Sequence, residues 1–136
     1  MDRLKGWLDT NVILRYLTED HATLALRARA IIESERDLFV SSAVLAECVH
    51  VLSTVYEMPR TVVIDAITDF IQRSNIILPH IEKALAVEAL SFCRDSGRVH
   101  IVDALLWAEA RTSTIADIYT FDMRFPGEGV SLHSQP

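Results

Sequence analysis

Short apolar runs alternate with longer segments of helical periodicity along the whole chain. Val63, Ile67, Phe70 and Ile71 recur at i, i+4, i+7 and i+8, which is typical of an amphipathic helix with one buried face. Short runs rich in β-branched and aromatic side chains separate the helical segments and predict strands. The predicted strands cover residues 5–9, 37–41, 75–78, 118–121 and 129–132.

Helical spacing accounts for most of the chain between these strands. Ser42 is the predicted N-cap of the third helix, and Gly97 follows the end of the fifth. The predicted helices cover residues 11–18, 23–34, 43–55, 60–71, 81–92 and 101–111. Strands that alternate with helices favour a parallel sheet covered on both faces, so the sequence predicts an α/β three-layer sandwich. We expect one domain over residues 1–136.

Length and composition narrow the class of protein. A chain of 136 residues, half of them apolar, is long enough for one core and too short for two. It contains neither a signal-peptide pattern nor an apolar run long enough to cross a bilayer, so a cytoplasmic protein without a membrane partner is expected. Cys48 and Cys93 lie inside helical segments without metal-ligand spacing, which indicates reduced, buried thiols.

The net charge of −6 argues against a broad basic surface for nucleic acid. It is compatible with an acidic pocket that binds cations. All basic side chains other than Lys5 and Lys83 are arginines, whose planar fork matches phosphate oxygens. Solvated ion pairs remain the ordinary interpretation for most of them.

Four acidic residues stand at positions where an open α/β sheet gathers its ligands, outside the carboxyl ends of the strands. Asp9 follows the first strand, Glu47 lies in the first turns of the helix after the second, and Asp122 follows the fourth. Asp103 interrupts the apolar run 101–106 near the start of a helix. A buried carboxylate without a partner is costly, and a divalent cation would compensate several of them at once.

Each acid also has a simpler interpretation. Asp9 could be an ordinary N-cap, and Glu47 an exposed helix residue. Asp103 could cap its helix or pair with Arg98, and Asp122 could serve turn formation. The joint placement of all four at one sheet edge favours a shared site.

Four segments, in the same order, resemble the acidic motifs of PIN-domain ribonucleases, and the length resembles that of their VapC-type toxins from type II toxin–antitoxin systems. The segments are Leu8-Asp9-Thr10-Asn11, Ser41-Ser42-Ala43-Val44-Leu45-Ala46-Glu47, Val102-Asp103-Ala104-Leu105 and Tyr119-Thr120-Phe121-Asp122-Met123-Arg124-Phe125. Trp107 departs from the family pattern, which usually has a small residue there, so different packing of that helix is expected.

The resemblance implies hydrolysis of RNA phosphodiester bonds with Mg²⁺ or Mn²⁺, leaving 5′-phosphate and 3′-hydroxyl ends. It assigns catalysis and metal binding to Asp9, Glu47, Asp103 and Asp122. Four further candidates for orienting water or phosphate are Thr10, Asn11, Ser41 and Thr120. An antitoxin protein as partner and a homodimer are implied as well.

Two other functions remain open at this level. The chain could be a catalytically inactive PIN-fold module that binds RNA or protein, or a housekeeping RNA-processing nuclease. The Glu47-x-x-His50 pair resembles half of a di-iron site, but no second such pair occurs in the chain.

Overall fold

The computed structural model describes residues 4–136, and the elements named here lie within that range. The strands are β1 (Lys5–Trp7), β2 (Asp37–Phe39), β3 (Ile76–Ile77), β4 (Asp117–Tyr119) and β5 (Ser131–His133). The helices are α1 (Thr10–Thr18), α2 (Ala22–Ile32), α3 (Ser42–Thr54), α4 (Arg60–Ile71), α5 (Lys83–Phe92) and α6 (Ile101–Ser113). The predicted α/β class, with parallel strands and flanking helices, is confirmed.

The strands form two parallel sheets. A three-stranded sheet has the order β1-β2-β3, with Gly6 opposite Leu38 and Leu38 opposite Ile76. The second sheet pairs β4 with β5, so that Ile118 lies opposite Leu132. Parallel neighbours need a long crossover, and a helix pair supplies it between β1 and β2 and again between β2 and β3.

The register brings the ends of β1 and β2 to one edge of the three-stranded sheet. Leu8 N donates to Phe39 O and Val40 N donates to Ile77 O, so the chain stays extended just beyond each strand. Helices α1 and α3 then begin at once. Asp9 and Ser41, the residues between strand and helix, therefore lie at the same sheet edge.

One continuous apolar core joins the helices to both sheets. Helix α3 is central, since it packs against α1, α4 and α6. Trp107 on α6 is fully buried, makes an edge contact with Phe92 and donates from Nε1 to Glu128 O at 2.8 Å. The different packing expected at this residue therefore takes the form of an anchor for the loop before β5.

Asn75 is the buried polar residue of the three-stranded sheet. Its Nδ2 donates to the carbonyl oxygens of Ile32, Ser34 and Arg36 at 2.9, 3.3 and 3.1 Å. These bonds hold the segment between α2 and β2 against the start of β3. They satisfy carbonyls that the loop would otherwise leave without donors.

Two details of the sequence analysis are wrong. The N-cap of α3 is Ser41, whose side chain accepts from Val44 N at 3.2 Å, whereas Ser42 is the first helical residue. Strand β1 is not uniformly buried, because Trp7 is 67% exposed. The prediction for the two cysteines is confirmed, since both are free and buried. Over residues 4–136, no helix combines the length and apolar character that a bilayer crossing requires.

Candidate active site

Three of the four predicted acids belong to the starts of helices that pack on one another. Asp9 is the N-cap of α1, Glu47 lies in the second turn of α3, and Asp103 lies in the first turn of α6. Because α3 contacts both α1 and α6, these positions surround the N-terminal half of α3. Helices that start directly after strands therefore set the position of this group.

Asp9 occupies the N-cap position of α1 without acting as a side-chain cap. Its backbone is extended, with φ −84° and ψ 154°, but its carboxylate accepts no hydrogen bond from the first turn. The simpler interpretation of Asp9 as an ordinary N-cap therefore explains the backbone and leaves the carboxylate oxygens unused. They are exposed and available to a ligand.

Glu47 and Asp9 act electrostatically on the same buried atom. Burial, with smaller contributions from the Glu47 and Asp9 carboxylates, raises the pKa of the Cys48 thiol to about 12. Both carboxylates therefore lie within electrostatic range of Cys48 Sγ. Glu47 itself is exposed and lines a pocket beside the first turn of α6.

Asp103 is half-buried on a helix whose neighbouring side chains Ala104 and Leu105 are in the core. The cap of α6 is His100, whose Nδ1 accepts from Val102 N at 3.3 Å. Within residues 4–136, Asp103 forms no ion pair with Arg98. Neither simpler interpretation thus explains this carboxylate, and a cation would offset the cost of its partial burial.

Asp122 lies in a different setting, on the loop that follows β4 in the two-stranded sheet. Its Oδ1 accepts from Arg124 N at 2.8 Å, and its own amide donates to Thr120 Oγ1 at 3.0 Å. This is the turn chemistry considered for it. Among the described residues, no hydrogen bond or ion pair joins Asp122 to the other three acids.

The four secondary candidates are distributed in the same way. Ser41 caps α3, and Thr120 orders the turn at Asp122. Thr10 is the first residue of α1, whereas Asn11 lines a groove between α1 and α2. A role for any of them in orienting water or phosphate stays a prediction.

The carboxylates do not stand around one point. In the described part of the chain, no three carboxylate, imidazole or thiol groups are arranged as a complete metal site. Carboxylates without a cation repel one another, so separated side chains are the expected arrangement. The donor set nevertheless fits a hard divalent cation, because Asp9, Glu47 and Asp103 supply oxygen ligands that no protein group occupies.

The structure adds residues that sequence reasoning missed. Ser42 Oγ donates to Glu109 Oε1 at 2.6 Å and so joins the start of α3 to the third turn of α6. Arg60, Gly97 and His100 line the pocket that Glu47 shares. No local motif marks these residues, since tertiary packing of distant segments creates their contacts.

A protein-family model described as PIN domain matches residues 7–127. The chain belongs to the PIN-domain family. The matched range includes Asp9, Glu47, Asp103 and Asp122 and ends before β5. A comparison with curated proteins finds no match.

Membership of the PIN family gives the geometry a chemical meaning. PIN domains are generally nucleases and typically use divalent metals. The unengaged carboxylates at the helix starts are the oxygen ligands that such chemistry needs.

Proposed function

We propose that this PIN domain is a Mg²⁺- or Mn²⁺-dependent endoribonuclease and the toxin of a VapBC-type toxin–antitoxin pair. One observation carries the proposal. Asp9, Glu47 and Asp103 come from three mutually packed helix starts, and within residues 4–136 no other side chain engages their carboxylates. Such a set of free oxygen donors beside a fold of nucleases favours metal-assisted hydrolysis of phosphodiester bonds.

In this proposal Asp9, Glu47 and Asp103 hold the ion, directly or through water, and Asp122 completes the pocket. A bound divalent ion supplies charge neutralisation at the phosphoryl oxygens and makes a coordinated water easier to deprotonate. Thr10, Ser41 and Thr120 would orient water or phosphate, as would Asn11 if the α1 turn presents it to substrate. The products would carry 5′-phosphate and 3′-hydroxyl ends.

The biological part of the proposal concerns regulation. An antitoxin would inhibit the enzyme by placing a positive group among the carboxylates, because an opposite charge competes with metal there. A homodimer of one PIN domain per chain completes the proposed assembly. Induced expression should arrest growth, and Asp9→Asn should relieve the arrest. A growth-neutral active enzyme would instead favour the housekeeping nuclease.

The first experiment measures cleavage of a mixed set of structured RNAs by the purified full chain, with Mg²⁺, with Mn²⁺ and with EDTA. Asp9→Asn and Asp103→Asn are assayed beside Asp69→Asn, a matched control on the exposed face of α4. We expect metal-dependent cleavage that both site variants lose and the control retains. If no RNA is cleaved under any metal, and calorimetry detects no Mn²⁺ binding, the enzyme proposal fails and the inactive binding module replaces it.

A further inference from the structure

A pocket of about 430 Å³ opens beside the proposed metal site, between α3, the start of α4 and residues 97–102. Its size lies in the range of roughly 300–1,000 Å³ that is usual for small-molecule sites. The floor is apolar, and its buried members include Val63, Ile64 and Val99. Polar side chains, Glu47 among them, stand around it.

The pocket exists because one face of α3 carries small side chains. Ala43, Ala46, Glu47, His50 and Ser53 follow each other at helical spacing and all line it. Longer apolar side chains at the two alanines would fill the space against α4. The face instead leaves a cleft with Glu47 and His50 on its α3 wall.

Arg60 is the cation of this cleft. It is exposed at the first position of α4, and within residues 4–136 it forms no hydrogen bond or ion pair. Its guanidinium lies against Gly97, where an added Cβ would come within 2.9 Å of Arg60 Nη2. Gly97 therefore leaves the room that the guanidinium occupies.

Arg60 also lies on the side of the pocket nearest Asp103. Burial raises the pKa of the Cys93 thiol to about 11, and Arg60 opposes this rise whereas Asp103 adds to it. Both charges are thus within electrostatic range of Cys93 Sγ. The first turn of α6, at Ile101 and Val102, adds the positive end of a helix dipole to the same wall.

We infer that this pocket binds one nucleotide of the RNA substrate beside the cleaved bond, with a phosphate on Arg60 and the base on the apolar floor. The inference rests on the proposed function, since it places the pocket next to the proposed metal ligands Glu47 and Asp103. An arginine fork with no protein partner suits a phosphate, which accepts two hydrogen bonds from it. The flat apolar floor suits a base that has left its stack.

The kinetic test compares Arg60→Gln with Arg98→Gln on a short RNA that the wild-type chain cleaves. Arg98 is the matched control, because it is exposed in the same loop as Gly97 but does not line the pocket. We expect Arg60→Gln to lower kcat/KM about tenfold to a hundredfold, mainly through KM, which is the scale of a lost charged hydrogen bond. Arg60→Lys should fall between the two. Mn²⁺ affinity should not change in any of them.

A second arm needs no cleavage. Binding of AMP, GMP, CMP and UMP to the wild-type chain in EDTA is followed by NMR of the His50 and His100 ring signals. Ala43→Leu fills the pocket, and Ala84→Leu on the exposed face of α5 is its control. We expect nucleotides to perturb both rings, and Arg60→Gln and Ala43→Leu to weaken that binding. Thermal unfolding verifies that each variant is folded.

The outcomes separate the two proposals. If the wild-type chain cleaves RNA and Arg60→Gln behaves like Arg98→Gln, the pocket inference is overturned and the nuclease stands. If the wild-type chain does not cleave, the nuclease fails, and the nucleotide titration alone decides the pocket. Nucleotide binding that Arg60→Gln does not weaken, or no binding at all, overturns the inference.

Discussion

Asp9 and Asp122 both follow a strand, but the chain continues differently after each. After β1 it enters α1 within two residues, and the helix is held by packing against α2 and α3. After β4 it enters an irregular segment of 11 residues, 120–130, before β5. Phe121 and Met123, the neighbours of Asp122, are 90% and 98% exposed.

The difference concerns how an acid is kept in place. A residue at a helix start is positioned by the core beneath the helix, whereas Asp122 is positioned by two local hydrogen bonds of its own turn. Functional groups on rigid elements are held more closely than groups on loops. We therefore expect the three-stranded region to provide the essential metal ligands and the two-stranded region to adjust them.

The largest expected effect tests this division directly. Asp103→Asn should lower kcat/KM by about a thousandfold, since it removes a direct ligand and even an outer-shell partner is worth about 10–100-fold. Asp122→Asn should lower it only about tenfold. The measurement is single-turnover cleavage together with Mn²⁺ affinity by calorimetry. Equal losses for the two variants would contradict the comparison.

The next effect concerns the stability of the three-stranded region. Asn75→Ala removes three hydrogen bonds to loop carbonyls and should lower the free energy of unfolding by about 2–3 kcal/mol. Gln72→Ala, at the exposed end of α4, is the control and should change it by less than about 0.5 kcal/mol. Urea unfolding measures both. A loss at Asn75 no larger than the control would show that water replaces these bonds.

A smaller effect is expected from the anchor of the two-stranded region. Trp107→Phe keeps an aromatic ring in the core but removes the Nε1 donor to Glu128 O, so we expect a loss of about 1–2 kcal/mol. Hydrogen exchange should accelerate in residues 117–133 more than in β1–β3. Uniform acceleration in both sheets would mean that the two regions open as one unit.

The smallest effect is a dependence on acidity at the far end of α1. Asp20 accepts hydrogen bonds from Tyr56 Oη at 2.6 Å, Arg15 Nη1 at 2.8 Å and Thr18 Oγ1 at 2.9 Å, and these hold its pKa well below the usual 3.8. A depressed folded-state pKa stabilises the fold above about pH 4, and this contribution is lost as pH falls further. In Asp20→Asn the melting temperature should therefore depend less steeply on pH between 2 and 5. An unchanged slope would remove Asp20 from acid unfolding.

The sequence analysis identified the elements well because their signals are local. Its strands 5–9 and 37–41 extended too far for a physical reason, since Asp9 and Ser41 keep extended backbones as N-caps after the ladder has ended. Two adjacent serines offered equivalent caps, and only the actual start of α3 selects Ser41. The exposure of Trp7 depends on what lies beside β1, which no local pattern reveals.

The candidate site divides in the same way. Motif order located the four acids, but whether they meet depends on the packing of helices far apart in the chain. The pocket at Arg60 was not predicted, because α4 and the loop before α6 contribute its parts separately. The turn at Asp122 was among the interpretations considered, and its separation from the other acids follows from the division into two sheets.

The two tryptophans of the chain lie one in each setting, which makes the molecule its own optical reporter. Trp7 is largely in contact with water and stands two residues before Asp9, whereas Trp107 is sealed in the core. A water-facing indole emits at longer wavelength and meets soluble quenchers, so acrylamide would silence Trp7 and leave the emission of Trp107. In Trp107→Phe the remaining fluorescence comes from Trp7 alone, and ion or RNA binding beside Asp9 becomes visible without any attached dye.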